Sequence, residues 1–326
     1  MVMVDSAGTS GDGNGGSGGP SGDGNGGSGG ASGDERPDRP EVKLMNVTSR
    51  SALFQWYDVF SGNLNVTLYT VFYTSIEGNL TVNITDDRHQ YRFINLFPAT
   101  LYTFYATATN CIGTSEPAVI KRVTEEDVPM PPRNVNASAV SSTSIRVTWS
   151  VPQRTNGKLT WYKVYYWPTN TSDSEQVMET SGDNTNAVIR YLHPYTNYSM
   201  QVQAATAKGP GDRSEVVGPV RTFEDAPSAP RNVSICNITA HAFTVTWLDP
   251  AISNGILNNF LVGVQLAENG DKIRNTTLPI GEIKRRDGYS YRVEGLLAYT
   301  NYSVQIIAVT SEPGNASTPL PDVPTM

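Results

Sequence analysis

Asparagine carries the densest chemical signal in this sequence. Asn-x-Ser/Thr triplets, the acceptor pattern for N-linked sugar, begin at Asn46, Asn65, Asn79, Asn83, Asn136, Asn170, Asn197, Asn232, Asn237, Asn275, Asn301 and Asn315. They take twelve of the 23 asparagines from residue 41 onward. With roughly a fifth of the chain Ser or Thr, chance would give about four or five. The excess points to the secretory route and an extracellular or cell-surface chain. Asn197 and Asn301 carry less weight, because in Asn-Tyr-Ser the serine also suits a solvent-facing strand position.

Catalytic chemistry finds no such pattern. His89, His193 and His241 are isolated, with no His-x-x-x-His, Gly-x-Ser-x-Gly or Cys-x-x-Cys spacing around them. Asp86-Asp87 and Glu125-Glu126-Asp127 read as solvated acids at a turn and a joint rather than as a calcium site. Lys284-Arg285-Arg286 is the only basic cluster and reads as a charged loop, with contact to a polyanion as the sharper alternative. Gly211-Asp212-Arg213 and Arg286-Asp287-Gly288 scramble the Arg-Gly-Asp adhesion tripeptide without making it. Cys111 and Cys236 lie a whole unit apart, too far for the ~7 Å Cα approach a mutual bridge needs. They read as buried, inert thiols, with an intermolecular bridge as the alternative. The expectation is no catalytic residue, no metal, no cofactor and no small-molecule substrate: not an enzyme. A net charge of −7 without a long basic block argues against nucleic acid. No apolar run approaches the ~18–20 residues of a membrane helix.

What must position these groups is a low-complexity head followed by a patterned body. Fourteen of the 29 glycines fall in the first 33 residues, where 10–20 and 21–31 are near-identical copies of SGDGNGGSGG. Such a segment offers no apolar surface to offset chain entropy, so residues 1–39 read as a disordered, solvated spacer. No strand, helix or Lys flanks these glycines as a phosphate loop would require. The opening MVMVDSAGTS has neither a charged n-region nor an apolar h-region, so no secretion signal is recognisable.

The body repeats with a period near 95. Trp56, Trp149 and Trp247 each close an alternating stretch (Ala52, Phe54; Ile145, Val147; Phe243, Val245), the period of a half-buried strand. A second alternation follows at Tyr69, Val71, Tyr73; Tyr162, Val164, Tyr166; and Phe260, Val262, Val264. Leu96-x-Pro98-x-Thr100-x-Tyr102 recurs at Leu192 to Tyr198 and at Leu296 to Tyr302, where Ala298 replaces the proline. Each unit ends on a Ser-to-Thr segment: Ser115 to Thr124, Ser214 to Thr222, Ser317 to Thr325. Prolines at 129, 131 and 132 and at 227 and 230 mark short joints that restrict the hinge without freeing it. The body reads as all-β in three units, 40–126, 127–224 and 225–326.

A Trp closing the second strand, Leu-x-Pro-x-Thr-x-Tyr entering the sixth, and no stapling disulfide resemble fibronectin type III domains, in three copies. The resemblance implies seven-stranded immunoglobulin-like β-sandwiches. It makes Trp56, Trp149 and Trp247 central core groups and Tyr102, Tyr198 and Tyr302 corner tyrosines, with a looser turn expected at Ala298. It implies a non-enzymatic binding and spacer module, an ectodomain fragment of an adhesion or receptor protein with protein partners. The alternative is the extracellular accessory part of a receptor-type tyrosine phosphatase. Loop position nominates two partner surfaces: the turn Gln153 to Lys158, with its counterpart at Ser253-Asn254-Gly255, and the loop Lys208 to Asp212.

Overall fold

The computed structural model describes residues 35–326 apart from 171–173, 269 and 286; side chains at 284, 285, 321 and 322 are also outside the described set. Nearly all of the expected 1–39 spacer, Arg286 and the rest of the basic cluster's side chains therefore lie outside the described residues.

The first unit is a sandwich of two antiparallel sheets. One is β1 (Val42–Val47), β2 (Ser51–Trp56) and β5 (Gln90–Ile94); the other runs β4 (Gly78–Ile84), β3 (Leu68–Ser75), β6 (Leu101–Thr109) and β7 (Ala118–Val123). The second unit repeats this plan. Strands β8 (Arg133–Ser141), β9 (Ser144–Ser150) and β12 (Asn186–Ile189) face β11 (Gln176–Ser181), β10 (Trp161–Pro168) and β13 (Asn197–Thr206). The last strand is split in two, β14 (Gly209–Arg213) and β15 (Val217–Arg221), both paired to β13. In the third unit β16 (Arg231–Cys236), β17 (Ala242–Leu248), β20 (Lys284–Arg285) and β21 (Gly288–Glu294) form one sheet. Strands β18 (Asn259–Leu266), β19 (Lys272–Pro279), β22 (Asn301–Val309), β23 (Pro313–Ala316) and β24 (Leu320–Pro324) form the other. One helical turn, α1 (Ile280–Ile283), precedes β20.

Alternation does the work in each. Along β6 the pattern Tyr102, Phe104, Ala106, Ala108 is buried and the residues between are not. Each unit has its own core, centred on Trp56, Trp149 or Trp247, which are 0%, 5% and 1% exposed. Their indole nitrogens have no hydrogen-bond partner among the described residues, so the rings act through bulk and contact.

The sequence signature is a set of pins. The hydroxyls of Tyr102, Tyr198 and Tyr302 accept the N–H of Phe97, His193 and Leu297 at 2.8, 3.0 and 2.8 Å. Thr100, Thr196 and Thr300 donate to the carbonyls of Pro98, Pro194 and Ala298. The closing Thr124, Thr222 and Thr325 donate to Phe97, His193 and Leu297 carbonyls at 2.6, 2.7 and 2.6 Å. Ser115, Ser214 and Ser317 accept buried N–H groups of Ala108, Val202 and Ile306. Every terminal polar group thus satisfies a backbone group next to the core, which burial would otherwise make costly. Ala298 does not loosen the turn: its carbonyl keeps the threonine bond at 3.1 Å, and Tyr299 holds the same left-handed φ (55°) as Ala99 (49°) and Tyr195 (49°).

Candidate functional site

Two features set the geometry of this chain's surface: the joints between units and the distribution of asparagines. At the first joint the linker 125–130 lies on the second unit. Asp127 N–H donates to the Asn156 carbonyl (2.8 Å), Met130 N–H to the Arg154 carbonyl (3.0 Å), and Thr206 Oγ1 to the Asp127 carbonyl (2.9 Å). Asn156 Nδ2 donates to the Val128 carbonyl (2.7 Å), and Glu126 Oε1 accepts the N–H of Lys158 (3.0 Å).

The second joint repeats the set in register. Asp225 N–H donates to Asn254 (3.0 Å), Ser228 N–H to Ile252 (2.9 Å), Thr310 Oγ1 to Asp225 (2.8 Å) and Asn254 Nδ2 to Ala226 (2.7 Å). Glu224 Oε1 accepts Ile256 N–H (3.0 Å). Asn156 and Asn254 sit at φ 55° and 51°, which asparagine tolerates better than most side chains. The two loops nominated as partner surfaces therefore hold the protein's own linker. Gln153 to Lys158 clamps 126–130, and at Gly211 a Cβ would collide with the Pro129 carbonyl oxygen. A polar cavity of about 530 Å³ remains beside this clamp, lined by Glu77, Thr100, Gln153, Arg154 and Lys158 among others.

The carboxylate expectation at this joint is refined. Glu125 pairs with Lys208 (3.1 Å), Asp127 with Arg50 (2.9 Å), and Glu126 caps a backbone N–H. Asp86 is held below the usual carboxylate range by hydrogen bonds from Arg88. No group of three or more His, Cys, Asp or Glu positioned to hold a metal occurs among the described residues. His89 Nε2 lies 2.6 Å from Asp58, which also accepts from Tyr69 at 3.3 Å. Burial, then the Asp58 charge, pushes the Tyr69 phenol up to about 12; burial and Asp249 do the same to Tyr289.

Eleven of the twelve sequon asparagines are exposed; Asn197 is half-buried, with its Oδ1 accepting from Arg221 Nε at 3.1 Å. They occupy both sheets: Asn46, Asn136 and Asn232 on the first strand of each unit, Asn79, Asn83 and Asn275 on β4 and β19. The outer face of β10 carries none and presents Trp161, Lys163, Tyr165 and Trp167. There Arg213 stacks on the Tyr165 ring at 3.5 Å while gripping Glu175 with both nitrogens. The cysteines are not buried. Cys111 lies just beyond β6, on the outward phase next to inward Asn110, and Cys236 is on the outward phase of β16; both thiols are free and exposed.

Comparison with known proteins agrees with this architecture. The Fibronectin type III domain profile matches residues 36–121, 130–219 and 228–322. Cell adhesion molecule DSCAM of Homo sapiens is 30% identical over 294 residues, covering 85% of this chain and 14% of that protein. Phosphatidylinositol phosphatase PTPRQ of Rattus norvegicus is 27% identical over 275 residues, 82% of this chain and 11% of that protein. A solved structure of chicken CNTN1 FN1-FN3 domains aligns with a TM-score of 0.46 at 19% identity, over 89% of this chain and all of that one. The chain thus spans 14% or less of the curated relatives named here. Three successive profile matches, over three sandwiches with one set of pins, place the chain in the fibronectin type III family.

Proposed function

We propose that this chain is a non-enzymatic extracellular binding and spacer segment of a cell-adhesion or receptor protein, acting through protein–protein contacts. Its working parts are three modules dividing near residues 127 and 225. The observation that carries the reading is the exposure of eleven of twelve sequon asparagines on both sheets. Sugar there would solvate the sandwiches and confine partners to bare surface such as the outer face of β10. The adhesion-molecule relative supports the same direction. The match to a phosphatidylinositol phosphatase favours one variant of it, in which the segment is the accessory part of an enzyme whose catalytic part lies elsewhere. The test is to display the secreted full chain as a multimer on fluorescent beads and measure binding to intact cells. Saturable binding, abolished by treating the cells with protease, supports the reading. Binding no greater than beads coated with an unrelated sandwich of equal glycan content, across a range of cell types, refutes it.

A further inference from the structure

The two joints share a backbone clamp but not the side chains that bridge one unit to the next. In both, the clamp fastens the linker to the unit that follows it, which leaves the linker's start and the unit before as the place where the two joints can differ. There the linker is held by two backbone bonds at each joint: Glu125 N–H to Thr48 (3.3 Å) with Ala99 N–H to Glu125 (3.0 Å), or Phe223 N–H to Ser141 (3.3 Å) with Tyr195 N–H to Phe223 (3.0 Å). One side-chain contact to the aspartate joins them, Arg50 to Asp127 (2.9 Å) or Ser142 to Asp225 (2.7 Å).

Beyond this the joints diverge. At the first, Arg154 of the second unit reaches across to the first. Its Nη1 and Nη2 donate to both carboxylate oxygens of Glu77 at 3.3 and 3.2 Å, and its guanidinium lies 3.8 Å from the centre of the Phe97 ring. Lys208 adds a second tie to Glu125. A planar guanidinium held by two oxygens and an aromatic face is fixed in orientation as well as distance. The equivalent positions of the second joint, counted from the repeated Trp, Tyr and Thr, are occupied differently. Ile252 stands for Arg154, His193 for Phe97, Phe223 for Glu125 and Glu312 for Lys208. Neither bridge can form from these side chains. Ile252, Ile256 and Phe223 are instead 61%, 57% and 55% exposed, and Ile256 takes the place of Lys158.

We infer that the chain is an articulated pair of unequal joints: a locked elbow between the first and second units, set by Arg154, and a hinge between the second and third. The inference is independent of what the chain binds. Locking the first joint presents units one and two as one surface, while the third samples a range of angles.

Double electron–electron resonance on the full chain tests this. Cys111→Ser and Cys236→Ser remove the native thiols, and nitroxides enter at exposed Lys43, Arg146 and Lys272, one per unit, in pairs. The 43/146 distance distribution should be narrow and the 146/272 distribution at least twofold wider. Arg154→Ala should widen the first to match the second without altering the second. Glu77→Ala, which breaks the same tie from the opposite unit, should reproduce that result; tryptophan fluorescence of both variants checks that the sandwiches stay folded. Equal widths in the parent chain, or no widening in either variant, would overturn the inference.

Discussion

The phenolic oxygen of Tyr302 accepts the backbone N–H of Leu297 at 2.8 Å, while Thr325 donates to the carbonyl of the same Leu297 at 2.6 Å. Both polar groups of one peptide-bearing residue are thus pinned by the two landmark side chains of the third unit. The same arrangement holds at Phe97 and His193.

Removing the phenolic oxygen should therefore cost stability without loosening the core. Tyr102→Phe, Tyr198→Phe and Tyr302→Phe each leave a backbone N–H without its partner, at about 1–3 kcal/mol. Denaturant unfolding should show the midpoint of the affected unit falling at unchanged slope.

The central tryptophans should behave differently. Truncating Trp247 to Ala opens a cavity in a fully packed core and should cost about 3–5 kcal/mol. Trp247→Phe should cost markedly less, since the indole N–H it removes has no hydrogen bond among the described residues. Calorimetry of the two variants against the parent gives the comparison, and near-equal losses would contradict the packing account.

Alkaline pH should destabilise the first and third units. Tyr69 and Tyr289 rise from 10.0 to about 12 in the folded chain, chiefly through burial, so the folded state holds their protons more tightly than the unfolded chain does. That contribution is complete below pH 10 and is lost as pH rises through 12. Phenolate absorbance should show Tyr69 and Tyr289 among the late-titrating tyrosines, with Tyr73, Tyr162 and Tyr166 also raised by burial, and Tyr69→Phe with Tyr289→Phe should reduce the loss of stability between pH 10 and 12.

Gly211 should prove irreplaceable for its closeness to the linker. The alanine Cβ there collides with the backbone carbonyl oxygen of Pro129, whereas at Gly157 it meets the side chain of Glu126, which can shift more readily than backbone. Limited proteolysis should cut Gly211→Ala within 127–132 faster than the parent chain, with Gly157→Ala between them.

The sandwiches were legible in the sequence because alternation and a ~95-residue repeat are local patterns. Trp56, Tyr102 and Thr124 return in the same order in each unit; the tryptophans sit at the core centres, and the tyrosines and threonines make the repeated backbone bonds. The joints were only half legible. Proline showed that they are restricted, but the clamp depends on pairs such as Asp127 with Thr206, 79 positions apart, and on how consecutive units stack. Without that geometry, the loops 153–158 and 208–212 look like free surface. The cysteine expectation failed because it set the alternation aside: Asn110 continues the inward series Tyr102, Phe104, Ala106, Ala108, which leaves Cys111 outward, and Cys236 falls on the outward phase of β16.

Extracellular display is the central claim, and it is tested most directly by expressing the full chain behind a secretion signal and weighing it before and after enzymatic removal of N-linked sugar. The account predicts a loss of several kilodaltons, with deamidated asparagines mapping to most of the eleven exposed sequons and Asn197 among the least occupied. Efficient secretion with no change in mass would contradict it, leaving the triplets as by-products of Ser- and Thr-rich strands.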